Sequence, residues 1–568
     1  MKAEAVKTLR HAFSFLAATI LLLAARPVLA APDEDNDAKS GDVMLAAKVA
    51  AKGDPLLEAL FTELERSKSQ LKMDQLQTPY YIEYRVSDVE DFATEAAFGS
   101  TREDQKIHLR LLRVVVRLGG YKQDSYWGQG QGGNALLPLD NDPIALRHQI
   151  WLATDEAYKS AGEALTQKQS TLKQFSKEEH PVDDFAKATP VQLVEPTVTL
   201  KVDGPEWKKN LEAATELYKQ YPEIQSLSAT ARFTVVNEYL LNTEGTVTRN
   251  GHSVYSVQVN ASAQAPDGMR LGRTPAWTVA KLGELPSKEK LMHDTKEALE
   301  TLKALRQAPI VEEEYRGPVL FSPDAADDVV AALLGGNVLG RKPQLGAPNR
   351  TTGGFATSYK SRILPPFVDV IDDPTLKEFG GKSLTGSYEV DSEGVKSQTV
   401  DIVDKGVLTN YLLGRQPIRD FPGSNGHGRA APAAPAQPSL GVLLIKSSEA
   451  QAPDALKKRV ADLVGEQGKP YGYRVETMAG TAPRLLYRVY AKDGHEELVR
   501  GAVFSELDVR ALRNDLSAVG NDPLVSNRQG GVSTTIIAPS LLFDELQVKR
   551  ADTSKDKLPE YEAPPLLK

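Results

Sequence analysis

The sequence predicts an α+β fold, with an N-terminal part that mixes helices and strands and a C-terminal part that is rich in β-structure. Long amphipathic segments alternate with strand-like segments through the first 306 residues. From residue 350 to 415 the chain is rich in glycine and short β-like segments. With 568 residues, 41% of them apolar, the chain is long enough for two to four domains at ~150 residues each.

The N-terminal part contains four predicted helices and four predicted strands. The first helix has leucine and phenylalanine at helical spacing on one face, and Asp54-Pro55 marks its start. The helices are predicted near 54–73, 141–170, 205–220 and 286–306. The strands are predicted at Tyr80–Val86, Leu109–Leu118, Leu227–Leu241 and Thr246–Ala263. The polar turn 242–245 ends in glycine, as connections between paired strands prefer.

The C-terminal part opens with a short predicted strand at Pro318–Phe321. A turn and a helix over Ala325–Leu334 follow, with two aspartates in the first turn, where the helix dipole favours negative charge. Residues 422–440 form a long irregular segment, and such segments are usually functional or disordered. A further helix at 452–466 and a strand at Ile536–Val548 complete the predicted elements.

The first 30 residues have the order of a cleavable signal peptide. Positive residues at Lys2, Lys7 and Arg10 precede an uncharged stretch from Ala12 to Ala25, and small residues lead to Ala30. A membrane anchor is the alternative, but spanning needs ~20 apolar residues, and this run is shorter. The sequence therefore predicts an exported protein, periplasmic or extracellular, without a stable membrane span.

Composition excludes several classes of function. The net charge of −8 and the lack of a basic run argue against nucleic acid as a partner. The absence of cysteine excludes thiol nucleophiles and thiolate metal sites. No two histidines form the HExxH or HExxxH pattern of a zinc-protease helix, and no G-x-S-x-G nucleophile elbow is present.

Two carboxylate clusters are candidates for chemistry, in VDVIDDPT at 368–375 and in VDSEGV at 390–395. Facing each other, they would form an acid–base or hard-cation site. Alternatively, they initiate turns by accepting hydrogen bonds from their own backbone, and this interpretation is favoured. One histidine in the irregular segment either contacts a ligand or is simply solvated. The candidate site residues are Asp373, Asp391, Glu393 and His427.

A series of motifs in the C-terminal part resembles the C-terminal domain of the TldD/PmbA family. They are GPVLFSPDAADDVVAALL, IDDPT, DSEGV, GVLTNYLLGR, GSNGHGR and APSLLFDELQV, in this order. The family is described as metallopeptidases in which one type of subunit carries zinc. VVNEYLLNTEGTV in the front part looks like the family's α+β N-terminal domain.

The resemblance implies a two-domain organisation. The predicted boundaries are a signal peptide at 1–30, a flexible terminus at 31–53, an N-terminal α+β domain at 54–310, a C-terminal domain at 311–550 and a polar tail at 551–568.

The resemblance does not extend to the zinc site. In the zinc-bearing subunit an HExxxH helix follows the strand that here is Pro318–Phe321, and a cysteine completes the site. Here residues 324–330 read DAADDVV, and the chain has no cysteine. The sequence is therefore like the partner subunit that lacks the ligands, and no cofactor is predicted.

Three functions are compatible with these observations, and whether the chain is an enzyme stays open. The first is a secreted, zinc-less subunit of a dimeric peptidase that binds an extended or unfolded peptide by strand addition. Its dimer partner would be a second copy or a zinc-bearing paralogue. The second is an active metallopeptidase with zinc at a non-standard site made by the four candidate residues. The third is a structural or interaction protein on the same fold.

Overall fold

The structure is a computed structural model that describes residues 36–126, 132–174, 182–311, 314–553 and residue 556. The predicted signal peptide and most of the predicted polar tail lie outside the described residues. Helices and strands are mixed, so the α+β prediction is confirmed. In the described part the α-helices are α1 Asn36–Ala51, α2 Pro55–Gln70, α3 Pro143–Leu172, α4 Gly204–Glu216, α5 Lys288–Gln307, α6 Pro323–Val330, α7 Pro453–Glu466 and α8 Val509–Asn514.

The strands before residue 311 form one eight-stranded sheet and a small ribbon. They are β1 Tyr81–Ala97, β2 Ser100–Arg117, β3 Gly119–Gly120, β4 Gln123–Asp124, β5 Gly133–Leu137, β6 Gln192–Val194, β7 Ile224–Asn242, β8 Val247–Gln264, β9 Arg270–Arg273 and β10 Ala276–Val279. The order in the sheet is β10-β8-β7-β1-β2-β5, and β6 and β9 also pair with β8. Strand β10 therefore lies at one edge of this sheet.

The strands after residue 314 form a seven-stranded sheet, a six-stranded sheet and two ribbons. They are β11 Tyr315–Phe321, β12 Val368–Asp372, β13 Glu378–Phe379, β14 Lys382–Ser383, β15 Val400–Asp404, β16 Val407–Leu408, β17 Gly428–Arg429, β18 Gln437–Pro438, β19 Val442–Ser447, β20 Tyr471–Ala479, β21 Ala482–Tyr490, β22 Glu496–Val499, β23 Ala502–Phe504, β24 Leu516–Val519, β25 Leu524–Arg528, β26 Thr534–Ala538 and β27 Leu541–Arg550. The sheet orders are β22-β21-β20-β11-β27-β23, with β24 beside β27, and β16-β15-β12-β19-β26-β25. Strand β25 is an edge of the six-stranded sheet.

Local sequence explains the start and the packing of α2. The Asp54 side chain accepts hydrogen bonds from the backbone N–H groups of Leu56 and Leu57, which satisfies two donors that a helix start leaves free. The predicted apolar face is buried in the core that α2 and α3 form with the sheet. The helices predicted near 141–170, 205–220, 286–306 and 452–466 also agree with α3, α4, α5 and α7.

Two regions differ from the sequence-based expectation. Residues 31–53 were expected to be flexible, but α1 occupies most of the segment, and Ala47 and Ala51 are buried in the core with α2. Alanine has the highest helix propensity, and the small residues allow close packing. The strands predicted at 80–86 and 109–118 are parts of the much longer hairpin β1–β2, whose polar stretch pairs along its whole length.

The eight-stranded sheet has one apolar and one polar face. The apolar face packs against α2 and α3 near one end and α4 and α5 near the other, since alternate residues such as Tyr84 and Phe233 belong to these cores. The opposite face carries Arg85, Glu238 and His252 and is turned towards loops of the C-terminal part. The fold therefore creates a polar space between the two parts of the chain. In the described part of the chain, no helix is long and apolar enough to cross a membrane.

Candidate functional site

Two hollows lie where the N-terminal sheet meets the C-terminal part. We call the first the sheet–loop cavity: about 570 Å³ between the polar face of β1, β7 and β8 and the loops 388–392, 429–432 and 529–533. We call the second the edge cleft: about 1000 Å³ lined by β10, β25 and the first turn of α6. Residues 529–533 follow β25 directly, so one chain segment runs from the cleft to the cavity.

Two sheet edges meet in the edge cleft. Strand β10 ends the N-terminal sheet and β25 ends the six-stranded sheet, and both line the cleft. Asn527 holds them together, because its Nδ2 donates to the backbone oxygens of Thr278 and Ser383, at 3.0 and 2.9 Å. An edge strand offers unpaired backbone groups to an added strand. The cleft therefore has the geometry for an extended peptide.

Helix α6 lies beside the cleft and carries an ion-paired cluster. The Arg528 guanidinium of β25 contacts the carboxylate of Asp327 and lies 2.7 Å from Oδ1 of Asp328. The hydroxyl of Ser526 donates to Asp327 Oδ2 at 2.8 Å. Burial raises the pKa of Asp327 although Arg528 opposes this. Burial and Asp328 raise the pKa of Asp324, which faces the cleft.

This cluster does not fit zinc. The helix provides aspartates where the resemblance expects two histidines, and the chain has no cysteine for a further ligand. Zinc sites use imidazole and thiolate ligands, with carboxylate as a supplement. A guanidinium is already bound between the two aspartates, and its positive charge opposes a cation at the same place. The residues at α6 thus form a structural ion pair in place of a metal centre.

Among the described residues, one group of histidine and acidic side chains has metal-ligand spacing. It consists of His293, Asp294 and Glu297 on the surface of α5. Lys290 already binds the Asp294 carboxylate at 2.6 Å, and the His293 side chain is exposed. An exposed acidic group of this kind is common without an ion, and we assign it no metal.

The structure places Asp391 and Glu393 together in a buried turn. Asp391 Oδ1 accepts hydrogen bonds from the N–H groups of Glu393 and Val395, and Oδ2 accepts one from Gly428. Gly394 has a φ of +78°, a conformation that favours glycine. Both carboxyl groups are nevertheless buried. The turn that the sequence favoured is therefore present. The burial of its two carboxyl groups, which the sequence did not indicate, changes their pKa values.

Burial disfavours the charged forms of this carboxyl pair. Desolvation, with the neighbouring Glu393 adding to it, raises the pKa of Asp391 to about 8. Burial also raises the pKa of Glu393, although the Arg415 N–H donates to its Oε2 at 2.6 Å. The pair is therefore more protonated at neutral pH than two exposed carboxyl groups would be.

This pair makes stability depend on pH. A raised pKa means that the folded state binds more protons than the unfolded state, so the free energy of unfolding decreases as the pH rises from about 4 to about 8 and levels off above that. We expect Glu393→Gln to weaken this dependence, because it removes one acid and lowers the pKa of Asp391. Urea unfolding at pH 5, 7 and 9 measures how the free energy of unfolding changes with pH in the parent and the variant. The same pH dependence in both would contradict the coupling between Asp391 and Glu393.

The other two candidate residues, Asp373 and His427, have separate hydrogen-bond partners. Asp373 is half-buried, and its Oδ1 accepts from the N–H and the hydroxyl of Thr375, so it forms a local turn. His427, which the sequence predicts either to contact a ligand or to be solvated, is completely buried, so the prediction that it is solvated is wrong. Its Nε2 lies 3.2 Å from Oδ1 of Asp372, and its Nδ1 lies 3.0 Å from Asn425 O.

The buried His427 is explained by its partner Asp372, which belongs to β12. The Asp372 carboxylate also accepts hydrogen bonds from the N–H groups of Gly441 and Val442. The four predicted candidates do not converge on one metal position in the described part of the chain, where no group of three of them meets the ligand spacing. Asp373 and His427 instead contact the six-stranded sheet at Val442 and Asp372, and Asp391 and Glu393 hold their turn against Gly428 and Arg415.

Arg415, within the GVLTNYLLGR motif, connects the two parts of the chain. Its completely buried guanidinium donates to Glu244 Oε1 at 2.7 Å and to the backbone oxygen of Ala186. It also lies over the rings of Tyr81 and Phe185. Its backbone reaches Glu393 and Ala186 as well. This residue therefore couples the buried carboxyl pair to the N-terminal sheet.

The sheet–loop cavity contains titratable residues that the sequence did not single out. Burial raises the pKa of Glu238 to about 7, while Ser87 and Arg85 oppose the shift. His252 is open to the cavity but surrounded by protein, and burial together with the charge of Arg429 lowers its pKa to about 4. Side chains alternate between the two faces of a strand, and the register of β7 with β8 places Glu238 and His252 on the same face of the sheet. This alternation is the sequence signal that could have identified them.

Comparisons with known proteins agree with this fold. Residues 314–550 match the family model described as the PmbA/TldA metallopeptidase C-terminal domain. A stretch of 79 residues is 35% identical to a metalloprotease of Archaeoglobus fulgidus. The stretch covers 13% of this chain and 17% of that protein, so the chain matches under a fifth of the relative's length.

Two crystal structures match the fold over most of the chain. TldE from Thermococcus kodakarensis is similar with a TM-score of 0.56 and 13% identity, covering 87% of this chain and all of that chain. A Thermotoga maritima protein described as a candidate modulator of DNA gyrase has a TM-score of 0.58 and 15% identity, covering 86% and 100%. Fold and family model together define a two-domain α+β protein related to metallopeptidases. Residues 314–550 belong to the PmbA/TldD family, and the chain as a whole shares the fold of the two solved structures.

Proposed function

We propose that this chain is an exported, zinc-less member of its family that binds extended or unfolded peptides in the edge cleft. The observation that carries the proposal is that two edge strands, β10 and β25, line one cleft beside α6, where Asp327 binds Arg528 on the helix for which the resemblance expects zinc-binding histidines. Backbone groups of an added strand supply affinity without requiring a particular peptide sequence. Export is inferred from residues 1–30.

The charges of the edge cleft suit a peptide of mixed sequence. Its walls carry basic side chains such as Arg273 and Lys382 as well as acidic ones such as Asp324 and Glu284. The lining has no large excess of either sign, so backbone pairing decides the affinity. Cleavage would require a zinc-bearing partner, because α6 of this chain offers no ligands for zinc. We therefore propose that the chain forms a dimer. A homodimer would only bind peptides, whereas a heterodimer with a zinc-bearing paralogue would also cleave them.

Blocking the cleft tests the proposal. Ala276 is an exposed residue of β10 that lines the edge cleft, so Ala276→Trp places a large side chain in the path of a peptide. We expect binding of a fluorescently labelled, unfolded peptide of about ten residues to weaken at least about tenfold, which corresponds to ~1.4 kcal/mol. Fluorescence anisotropy of the purified protein measures the affinity.

A matched control is the same substitution on the exposed face of α7, Ala455→Trp, since α7 does not line the cleft. We expect this variant to bind the peptide like the parent. Equal affinity of Ala276→Trp and Ala455→Trp, or the absence of saturable binding to the parent protein, would contradict a peptide site in the edge cleft.

A further inference from the structure

Two donors without partners face each other across the sheet–loop cavity. Arg429 donates through Nη1 to the backbone oxygens of Leu440 and Ser533, at 2.8 and 2.5 Å. Among the described residues, its Nε and Nη2 have no hydrogen-bond partner, and the residue is only half-buried. On the opposite wall, the imidazole of His252 likewise has no partner in the described part of the chain. Both groups are therefore available to a ligand.

The cavity carries positive charge that its own acids do not neutralise. Arg85 donates to the backbone oxygens of Ser392 and Ala434, and Arg429 is likewise held by backbone oxygens. Within the part of the chain that the structure describes, neither guanidinium forms an ion pair with a carboxylate. The nearby acids, Glu238 and Asp391, are shifted towards their neutral forms by burial. A ligand with a negative charge compensates this excess.

Geometry selects the kind of anion. The planar guanidinium of Arg429 has two adjacent free N–H groups on one side, which is the arrangement that binds both oxygens of a carboxylate. The volume of about 570 Å³ is that of a small-ligand site, and sites of this kind measure ~300–1,000 Å³. We propose that the sheet–loop cavity binds an α-carboxylate, from a free amino acid or from the C terminus of a short peptide, through Arg429 and His252.

This second site does not depend on peptide binding in the edge cleft. Isothermal titration calorimetry of the purified protein with trialanine, trialanine amide and L-alanine tests it. We expect saturable binding of trialanine and at least about tenfold weaker binding of the amide, because the amide lacks the charge that the guanidinium recognises. Binding of L-alanine as tight as that of trialanine assigns the source to free amino acids; tighter binding of trialanine assigns it to peptide C termini.

Substitutions locate the site. His252 has no hydrogen bonds to lose in the described structure, so His252→Ala is expected to remain folded and to bind the carboxylate about tenfold more weakly. His293→Ala on the exposed surface of α5 is the control and is expected to change nothing. Ala276→Trp in the edge cleft should leave trialanine binding intact, which separates this site from the cleft.

The outcomes decide the proposal. Equal binding of acid and amide, no binding of either, or full affinity in a folded His252→Ala variant would each overturn it. Arg429→Gln is a second variant with the same expected loss. Because the Arg429 side chain also holds backbone oxygens, its replacement could unfold the protein, so a thermal unfolding curve is recorded beside the titration. If Arg429→Gln does not fold, the result for His252→Ala decides whether the cavity binds a carboxylate.

Discussion

Replacement of Arg415 by alanine is expected to destabilise the protein by about 3–5 kcal/mol, the usual cost of removing one partner of a buried ion pair. The guanidinium is completely buried, and it holds Glu244, whose side chain is 13% exposed, together with the backbone of Ala186. Without the cation, the Glu244 carboxylate stays in a poorly hydrated environment. The rings of Tyr81 and Phe185 also lose their packing partner.

Urea unfolding of the variant and the parent at pH 7 measures this loss. Arg415→Lys keeps the charge but not the planar fork, so we expect an intermediate stability. Arg510 is the matched control: its side chain is 84% exposed and 3.8 Å from Asp508, and surface pairs contribute ~0–1 kcal/mol. A loss in Arg415→Ala as small as that in Arg510→Ala would show that the connection does not stabilise the fold.

Replacement of Arg528 by leucine is expected to cost about 2–3 kcal/mol at pH 7, somewhat less than for a fully buried pair because about a third of its side chain is exposed. Asp327 and Asp328 then face each other without a cation. Without Arg528 the pKa of Asp327, already raised by burial, rises further in the folded variant, so the variant's free energy of unfolding falls as the pH rises. The difference from the parent should therefore be larger at pH 8 than at pH 5.

The control for this prediction is Arg316→Leu, because Arg316 forms surface ion pairs with Glu506 and Glu545 and is more than half exposed. We expect that variant to lose ~0–1 kcal/mol, with little pH dependence. A difference between Arg528→Leu and the parent that does not change from pH 5 to pH 8 would contradict the assigned role of the guanidinium.

Much of the fold follows from local sequence. The periodic apolar face after Asp54 is enough to predict α2, and the hairpin turn 242–245 predicts the pairing of β7 with β8. The polar stretch of β1 and β2 could not be predicted in the same way, because its residues lack an apolar pattern. Its strand conformation depends on the pairing of β1 with both β2 and the distant β7. Helix α1 was not predicted, because its small residues give a weak amphipathic signal.

The sites were less predictable, since they depend on contacts between distant residues. The motif DSEGV gave the turn at Asp391, but its burial depends on residues 428 and 415, which other segments bring in. His427 reads as a loop residue until β12 brings Asp372 to it. Arg528 lies 200 residues after Asp328 of α6, and no local sequence signal connects the two. Arg429, opposite His252, has no local signal either.

The most direct test of the central claim is the zinc content of the purified protein, measured together with peptide cleavage with and without a chelator. We expect less than stoichiometric zinc, saturable peptide binding that a chelator does not change, and no cleavage by the chain alone. One zinc per chain with cleavage that the chelator abolishes would contradict it. The contacts of Arg528 with α6 would then have to rearrange to admit a metal.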